Sequence, residues 1–227
     1  KVKNPLNQVI QLGYDKNGNK KKLIFPKGDA VSYTYNALNR MDGIYHNGVK
    51  QWGLGYDANG NIAWYADNTG KTTSFQYDKN NRVTQQAIGA TNKIDYAYDN
   101  NSNPTSLTVT SGATTISNGY IYNSLNQMTG ITRNGVNQSK FIYDERGNII
   151  STKKGNGTYT AFEYDDANRL KSVKNYNVAG ALLDTYTYSY DANNNYTSVA
   201  TNNGAISYQY DALNQLTKET MADGTMI

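Results

Sequence analysis

The chain has 227 residues, a formal net charge of +4, 18 % charged residues, 21 tyrosines, three prolines and no cysteine. The absence of cysteine excludes thiolate metal sites, disulfides and cysteine nucleophiles. The thin positive charge, clustered only at Lys20, Lys21 and Lys22, lacks the basic stripe of a nucleic-acid binder, and no apolar run approaches the roughly 18 residues of a membrane helix.

From the N terminus onward one six-place pattern recurs. Its first place is Tyr14, Tyr35, Tyr56, Tyr77, Tyr98, Tyr122, Tyr143, Tyr164, Tyr190 and Tyr210, at intervals of 21, 21, 21, 21, 24, 21, 21, 26 and 20 residues. Units this short bury a core only by stacking on their neighbours, so the period predicts a tandem array spanning 1–227 as a single body. Two sub-types alternate. The first (YDKNGN, YDANGN, YDNNSN, YDERGN, YDANNN) ends in Asn19, Asn61, Asn103, Asn148 or Asn195; the second (YNALNR, YDKNNR, YNSLNQ, YDDANR, YDALNQ) ends in Arg or Gln, and the full period is nearer 42 than 21. The segment Asn4-Pro5-Leu6-Asn7-Gln8-Val9 reads as a second-type motif without its tyrosine, and the chain is expected to be a piece of a longer array.

The fifth place is Gly or Asn in nine units and Ser102 in the other. These residues tolerate positive φ, which the last position of a three-residue hairpin loop with a bulge requires. The motif is therefore predicted to be a hairpin bend. In that register the second place faces the sixth and the anchor tyrosine faces the seventh, pairing Tyr35 with Met41 and Tyr77 with Val83. Two residues before each anchor stands Leu, Tyr or Phe, on the same face as the anchor. One face is predicted to be an aromatic stripe and the other mainly polar. The second-place Asp or Asn is expected to form an Asx-turn, with charged pairs at Asp78–Arg82 and Asp165–Arg169.

Return turns are expected at Gly28, Gly70, Gly112, Gly157 and Gly204, and at Gly48, Gly89, Gly135, Gly180 and Gly224. The two longest intervals are expected to hold insertions within such turns. Each unit then supplies two strands, roughly twenty in all, and a sheet so wide should coil or have its aromatic face covered.

Chemistry-bearing constellations are sparse. The Asp15/Asn17/Asn19 and Asp57/Asn59/Asn61 spacings imitate the front of a calcium loop, but the required glycine and glutamate places hold Lys20 and Pro26, or Ile62 and Asn68. His46 is the only histidine and sits beside a turn. KKGNGT around Gly155 and Gly157 lacks the phosphate-loop pattern. No catalytic residue, metal site or cofactor is expected, and the chain is read as non-enzymatic. Trp52 and Trp64 flank one hairpin and are the candidate sugar-binding residues, against a simple packing role.

The alternating YDxxGN and YNxLNR blocks, from about Asn4 to Met221, resemble the YD repeats of the rearrangement-hotspot (RHS) family. That resemblance implies an all-β fold of tandem antiparallel hairpins forming a long curved or spiralling sheet. It further implies a secreted or bacterial cell-surface setting, and a wall segment of a shell around a C-terminal toxin domain. The implied partners are the rest of the parent chain, such a toxin, and possible glycans, as for wall-associated relatives and teneurins. This sequence lacks the family's DPxG-type core block, plug and toxin domain, so self-cleavage and toxin identity do not carry over, and ten repeats suffice for an arc. A carbohydrate-binding or adhesion module is the alternative, but its usual GW or YYF blocks are missing here.

Overall fold

The computed structural model describes residues 2–3 and 9–226, so the motif at Asn4–Gln8 and the terminal Ile227 lie outside the described residues. Among the described residues there are 21 strands, from Val2–Lys3 to Leu216–Thr220, and no helix. The all-β, antiparallel hairpin architecture expected from the repeats is what the chain adopts.

Two compact units are formed, one by Lys1–Ala97 with Ser106–Ile116, the other by Tyr98–Thr105 with Ser117–Ile227. In the first, strands from Val2–Lys3 to Asn92–Tyr98 each pair antiparallel with the next in sequence. The second repeats this from Thr114–Tyr122 to Leu216–Thr220.

The bend after Tyr56 shows why the motif folds so. Asp57 N–H donates to Asn61 O at 2.9 Å and Gly60 N–H donates to Asp57 O at 3.2 Å, closing a three-residue loop whose last residue has φ +96°. All ten fifth-place residues have φ between 59° and 96°, and even Ser102 takes the left-handed conformation, at 71°. The ten return-turn glycines expected from the sequence also have positive φ. At Asn47-Gly48 and Asn134-Gly135 both turn residues do, as a two-residue type I′ hairpin demands.

Every registered bend pairs its anchor with the seventh place, from Tyr14 with Lys20 to Tyr210 with Leu216. Immediately beyond, the register shifts by one, so that Gly55 opposes Trp64 while Tyr56 opposes Ile62. The seventh and eighth residues thus share one partner in a β-bulge, and the next residue on the anchor's face is the tenth, not the ninth. Leu54 accordingly faces Tyr65. On this face the rings run continuously: Trp52 meets Tyr65 at 5.9 Å, Tyr65 meets Phe75 at 5.9 Å and Phe75 meets Tyr77 at 6.5 Å.

Two expectations need correction. The long intervals do not enlarge the return turns, because the turn at Gly112 stays short while its flanking strands lengthen to Pro104–Ser111 and Thr114–Tyr122, and the later insertion extends Leu182–Tyr190. Added residues find ladder hydrogen bonds in a longer hairpin that a longer loop would not give them. The polar face is also not free of rings: Tyr45, Trp64, Tyr159 and Tyr176 stand on it, by register with Ser32, Gly55, Lys153 and Tyr159. Trp64 lies over Gly55, whose added Cβ would meet the indole Nε1 at 2.1 Å, so the glycine makes room for the ring.

Among the described residues no hydrophobic side chain is buried; Thr73 and Ser172 are the buried polar ones. The sheet is one layer thick within each unit, and its stability comes from half-buried rings and bends repeated many times.

Alanine in place of a bend glycine should therefore be costly. Gly60→Ala places a Cβ at φ +96° and 3.0 Å from Arg40 Nη1, and is expected to lose about 1–2 kcal/mol in urea unfolding. Ala58→Gly in the same loop, where φ is not positive, should change stability by less than about 1 kcal/mol.

Candidate functional site

The densest polar chemistry in the chain lies along the row of bends. Within each first-type bend the Asp Oδ1 accepts the backbone N–H four residues on, and at Asp15, Asp99, Asp144 and Asp191 also the one two residues on, as at Asp15 with Asn17 (2.9 Å) and Asn19 (2.8 Å). Its Oδ2 accepts the sixth-place amide, at 2.9 Å in Asn61→Asp57 and 3.0 Å in Asn148→Asp144. That amide then reaches the next bend. Asn61 Nδ2 donates to Asn81 Oδ1 at 2.8 Å, Asn103 to Asn126 at 2.8 Å and Asn195 to Asn214 at 2.9 Å. Asn19 and Asn148 do the same to Asn39 and Asn168.

From second-type to first-type bends the link changes. Arg169 pairs with Asp165 at 2.8 Å, donates from Nη1 to Asp191 O at 3.2 Å and lies 4.5 Å from the centroid of the Tyr190 ring. Arg40 lies 4.6 Å from the Tyr56 ring centroid, and Arg82 pairs with Asp78 at 2.7 Å. The crossing side chain comes close to the fifth place of the following bend, where it meets a glycine or, for Arg169, the Asn194 Oδ1 at 2.9 Å. The Cβ that Gly60 lacks would meet Arg40 Nη1, and the one Gly147 lacks would sit 3.3 Å from Gln127 Nε2.

These contacts set the titration of the bend carboxyls. The asparagine amide holds Asp15, Asp57, Asp144 and Asp191 below the usual carboxylate range. At Asp78 and Asp165 the first cause is the backbone N–H of Arg82 or Arg169, seconded by its guanidinium. These aspartates are structural anions, each committed to several donors, and are poorly suited to acid–base chemistry.

The anchor tyrosines form a second set of links. Tyr35, Tyr56, Tyr77, Tyr143, Tyr164 and Tyr190 each donate their hydroxyl to the carbonyl of the seventh-place residue in the preceding unit, at 2.6–3.0 Å. The acceptor sits at the bulge, where the ladder is interrupted. Burial pushes the phenols of Tyr35, Tyr77 and Tyr164 upward, and that of Tyr190 to about 12. Sequence reasoning treated these rings as apolar and missed the hydroxyl. The available signal was that the anchor is always Tyr, whereas the place two residues earlier accepts Leu, Tyr or Phe.

The two candidate sugar-binding residues are not brought together. Trp52 shares the aromatic face with Ile44, Leu54 and Tyr65, with which it lines a hollow of about 370 Å³, and is 43 % exposed. Trp64 is on the opposite face, over its glycines. His46 is exposed at the end of its strand, and among the described residues no group of three or more His, Cys, Asp or Glu could hold a metal ion.

The family described as Teneurin YD-shell matches residues 1–185, and the RHS Repeat family matches residues 190–226. The tRNA3(Ser)-specific nuclease WapA of Bacillus spizizenii and the tRNA nuclease WapA of Bacillus subtilis are each 34 % identical over 115 residues, 49 % of this chain. The chain spans only 5 % of the length of those relatives. Among solved structures, TcdB2-TccC3 superposes with a TM-score of 0.65 at 15 % identity, over 92 % of this chain and 13 % of that one. The Photorhabdus luminescens Tc holotoxin pore gives a TM-score of 0.65 at 15 % identity, over 93 % and 12 %. At such identities these structures share the fold.

The tyrosine link is separable from ring burial. Tyr56→Phe keeps the ring and leaves the Met41 carbonyl without its 2.6 Å donor; it should cost about 1–3 kcal/mol in chemical denaturation. Tyr33→Phe, two residues before an anchor, should stay within about 0.5 kcal/mol.

Proposed function

This chain belongs to the Teneurin YD-shell family, and from that membership we propose that it is a non-enzymatic wall segment of a β-shell in an RHS-type toxin or surface protein. Residues 1–227 serve in this reading as one repeat array. The observation that carries it is the pair of links between successive bends, the asparagine ladder and the tyrosine hydroxyls, which join repeat to repeat along the row of bends. The fold shared with the TcdB2-TccC3 chain supports a place in a much longer polypeptide. Its partners are then the remainder of the parent chain and an enclosed C-terminal toxin domain, and its setting is extracellular or on the bacterial surface.

The test uses the parent chain and proteolysis. Deleting residues 36–77 removes 42 residues and preserves the alternation of bends, whereas deleting 36–56 removes 21 and sets two first-type bends side by side. Protease protection of the parent's distal segments should survive the first deletion and collapse with the second. Protection unaffected by both deletions would overturn the wall reading.

A glycan-binding role is the second reading, and the placement of the tryptophans favours Trp52 alone, exposed beside a hollow that is mostly apolar. Calorimetry with neutral oligosaccharides should then show saturable binding that Trp52→Ala abolishes and Trp64→Ala leaves in place. Equal loss in both variants would count against it.

A further inference from the structure

The chain has no cysteine, so no hairpin in it is fixed by a disulfide. On the polar face of the second unit, two tyrosines are placed as a covalent link of another kind would require. Tyr159, at the start of Tyr159–Tyr164, stands directly opposite Tyr176, at the end of Leu170–Tyr176. Their ring centres are 4.4 Å apart and the rings lie at 8° to one another.

The pair is held in place from both sides. At the neighbouring register position Thr160 Oγ1 donates to Asn175 Oδ1 at 2.8 Å. Toward the turns, a Cβ on Gly157 would sit 3.1 Å from Val178 Cγ1, so the glycine lets Val178 approach. Both tyrosines are half-buried, which leaves part of each ring open to solvent and to small oxidants.

Two other pairs of tyrosine rings touch among the described residues, and both are less well disposed to couple. Tyr190 meets Tyr196 at 4.8 Å and 33°, and Tyr188 meets Tyr196 at 5.7 Å and 52°. Tyr190 also donates its hydroxyl to Leu170 O and carries the Arg169 guanidinium 4.5 Å from its ring centroid. A cation there opposes withdrawal of an electron from the ring, and the bonded hydroxyl holds its proton. The hydroxyls of Tyr159 and Tyr176 are not among the tyrosine hydroxyls that donate to a carbonyl, so each can release its proton to water.

We propose that Tyr159 and Tyr176 are an oxidative modification site, joined ring to ring as a dityrosine when the chain meets a one-electron oxidant such as a peroxidase supplied with hydrogen peroxide. Each phenol gives up one electron and one proton. The two radicals couple at the ring carbons beside their hydroxyls, and the hydrogens on those carbons move to the oxygens to restore the phenols. In sum, two ring C–H bonds break, one C–C bond forms, and the peroxide takes up two electrons and two protons to become two waters. Direct cross-strand partners have their Cβ atoms about 5 Å apart, so the rings can swing edge to edge about their side-chain torsions while the strands keep their register. The product closes the loop around the bend at Tyr164 and restricts the unfolded chain as any such cross-link does. Nothing in this chemistry depends on the wall reading.

The test treats the whole chain, dilute enough to suppress coupling between molecules, with peroxidase and hydrogen peroxide. The expected product is a monomer lighter by two hydrogen atoms, with dityrosine fluorescence and a raised urea midpoint. Peptide mapping should find Tyr159 joined to Tyr176 in about tenfold or greater excess over any link to Tyr196, because the stacked pair is already oriented. Tyr159→Phe and Tyr176→Phe each keep a ring in the stack and should each lose most of the fluorescence, whereas Tyr196→Phe should retain it. Oxidation in concentrated urea should abolish the preference. The proposal is overturned by a monomer without the link, by links to Tyr196 of equal yield, by fluorescence that survives in Tyr176→Phe, by an unchanged midpoint in the linked chain, or by the same preference in urea.

Discussion

Everything regular in this chain depends on one residue per unit that tolerates a left-handed backbone. With Gly, Asn or Ser102 at positive φ, the three-residue loop closes, and closure fixes which residues oppose each other. A slip of one residue would send each large side chain to the other face. The bend thus places Tyr56 against Ile62 and, through the bulge beside it, Leu54 against Tyr65. The bulge also positions the carbonyl that receives the tyrosine hydroxyl of the next unit. Backbone conformation, side-chain register and the link between units are consequences of a single local choice.

The 42-residue period has a physical basis in the same row of bends. A second-type bend offers an asparagine side chain in the left-handed position, and the preceding first-type asparagine donates to it. Three of the five first-type bends have glycine there instead, and at two of them a side chain from the preceding unit comes close, Arg40 at Gly60 and Gln127 at Gly147. Glycine and asparagine are equivalent as bend formers but opposite as neighbours. Asn194 is a telling exception: it is a first-type bend with a side chain, and Arg169 uses it as an acceptor at 2.9 Å.

What the sequence made legible was local. The bends, the return glycines, the anchor–seventh pairing and the charged pairs Asp78–Arg82 and Asp165–Arg169 follow from steric rules acting over fewer than ten residues, and each is present. What escaped involved either a count or a contact across units. The bulge changes the parity of every strand after a bend, so two-residue counting would have put Trp64 on the face that Tyr65 occupies. That same parity separates Trp52 from Trp64, which sequence proximity had suggested as a pair. The hydroxyl links span 15 or 20 residues, and their trace in the sequence is the constancy of tyrosine at the anchor, which no steric rule acting within one bend requires.

The absence of any buried hydrophobic side chain among the described residues bears on what such a sheet is for. A one-layer sheet gains stability from each hairpin in proportion to number, since every unit contacts only its neighbours, and it leaves both faces available. The faces are then free to differ. One carries the ring series from Trp52, which is exposed, to Tyr77. The other carries exposed threonines, glutamines and lysines, with rings only where they roof glycines or stack on each other. A globular domain would have hidden the first face to become stable; here the links along the bends hold the sheet together without requiring that it be hidden. Stability is thereby separated from burial.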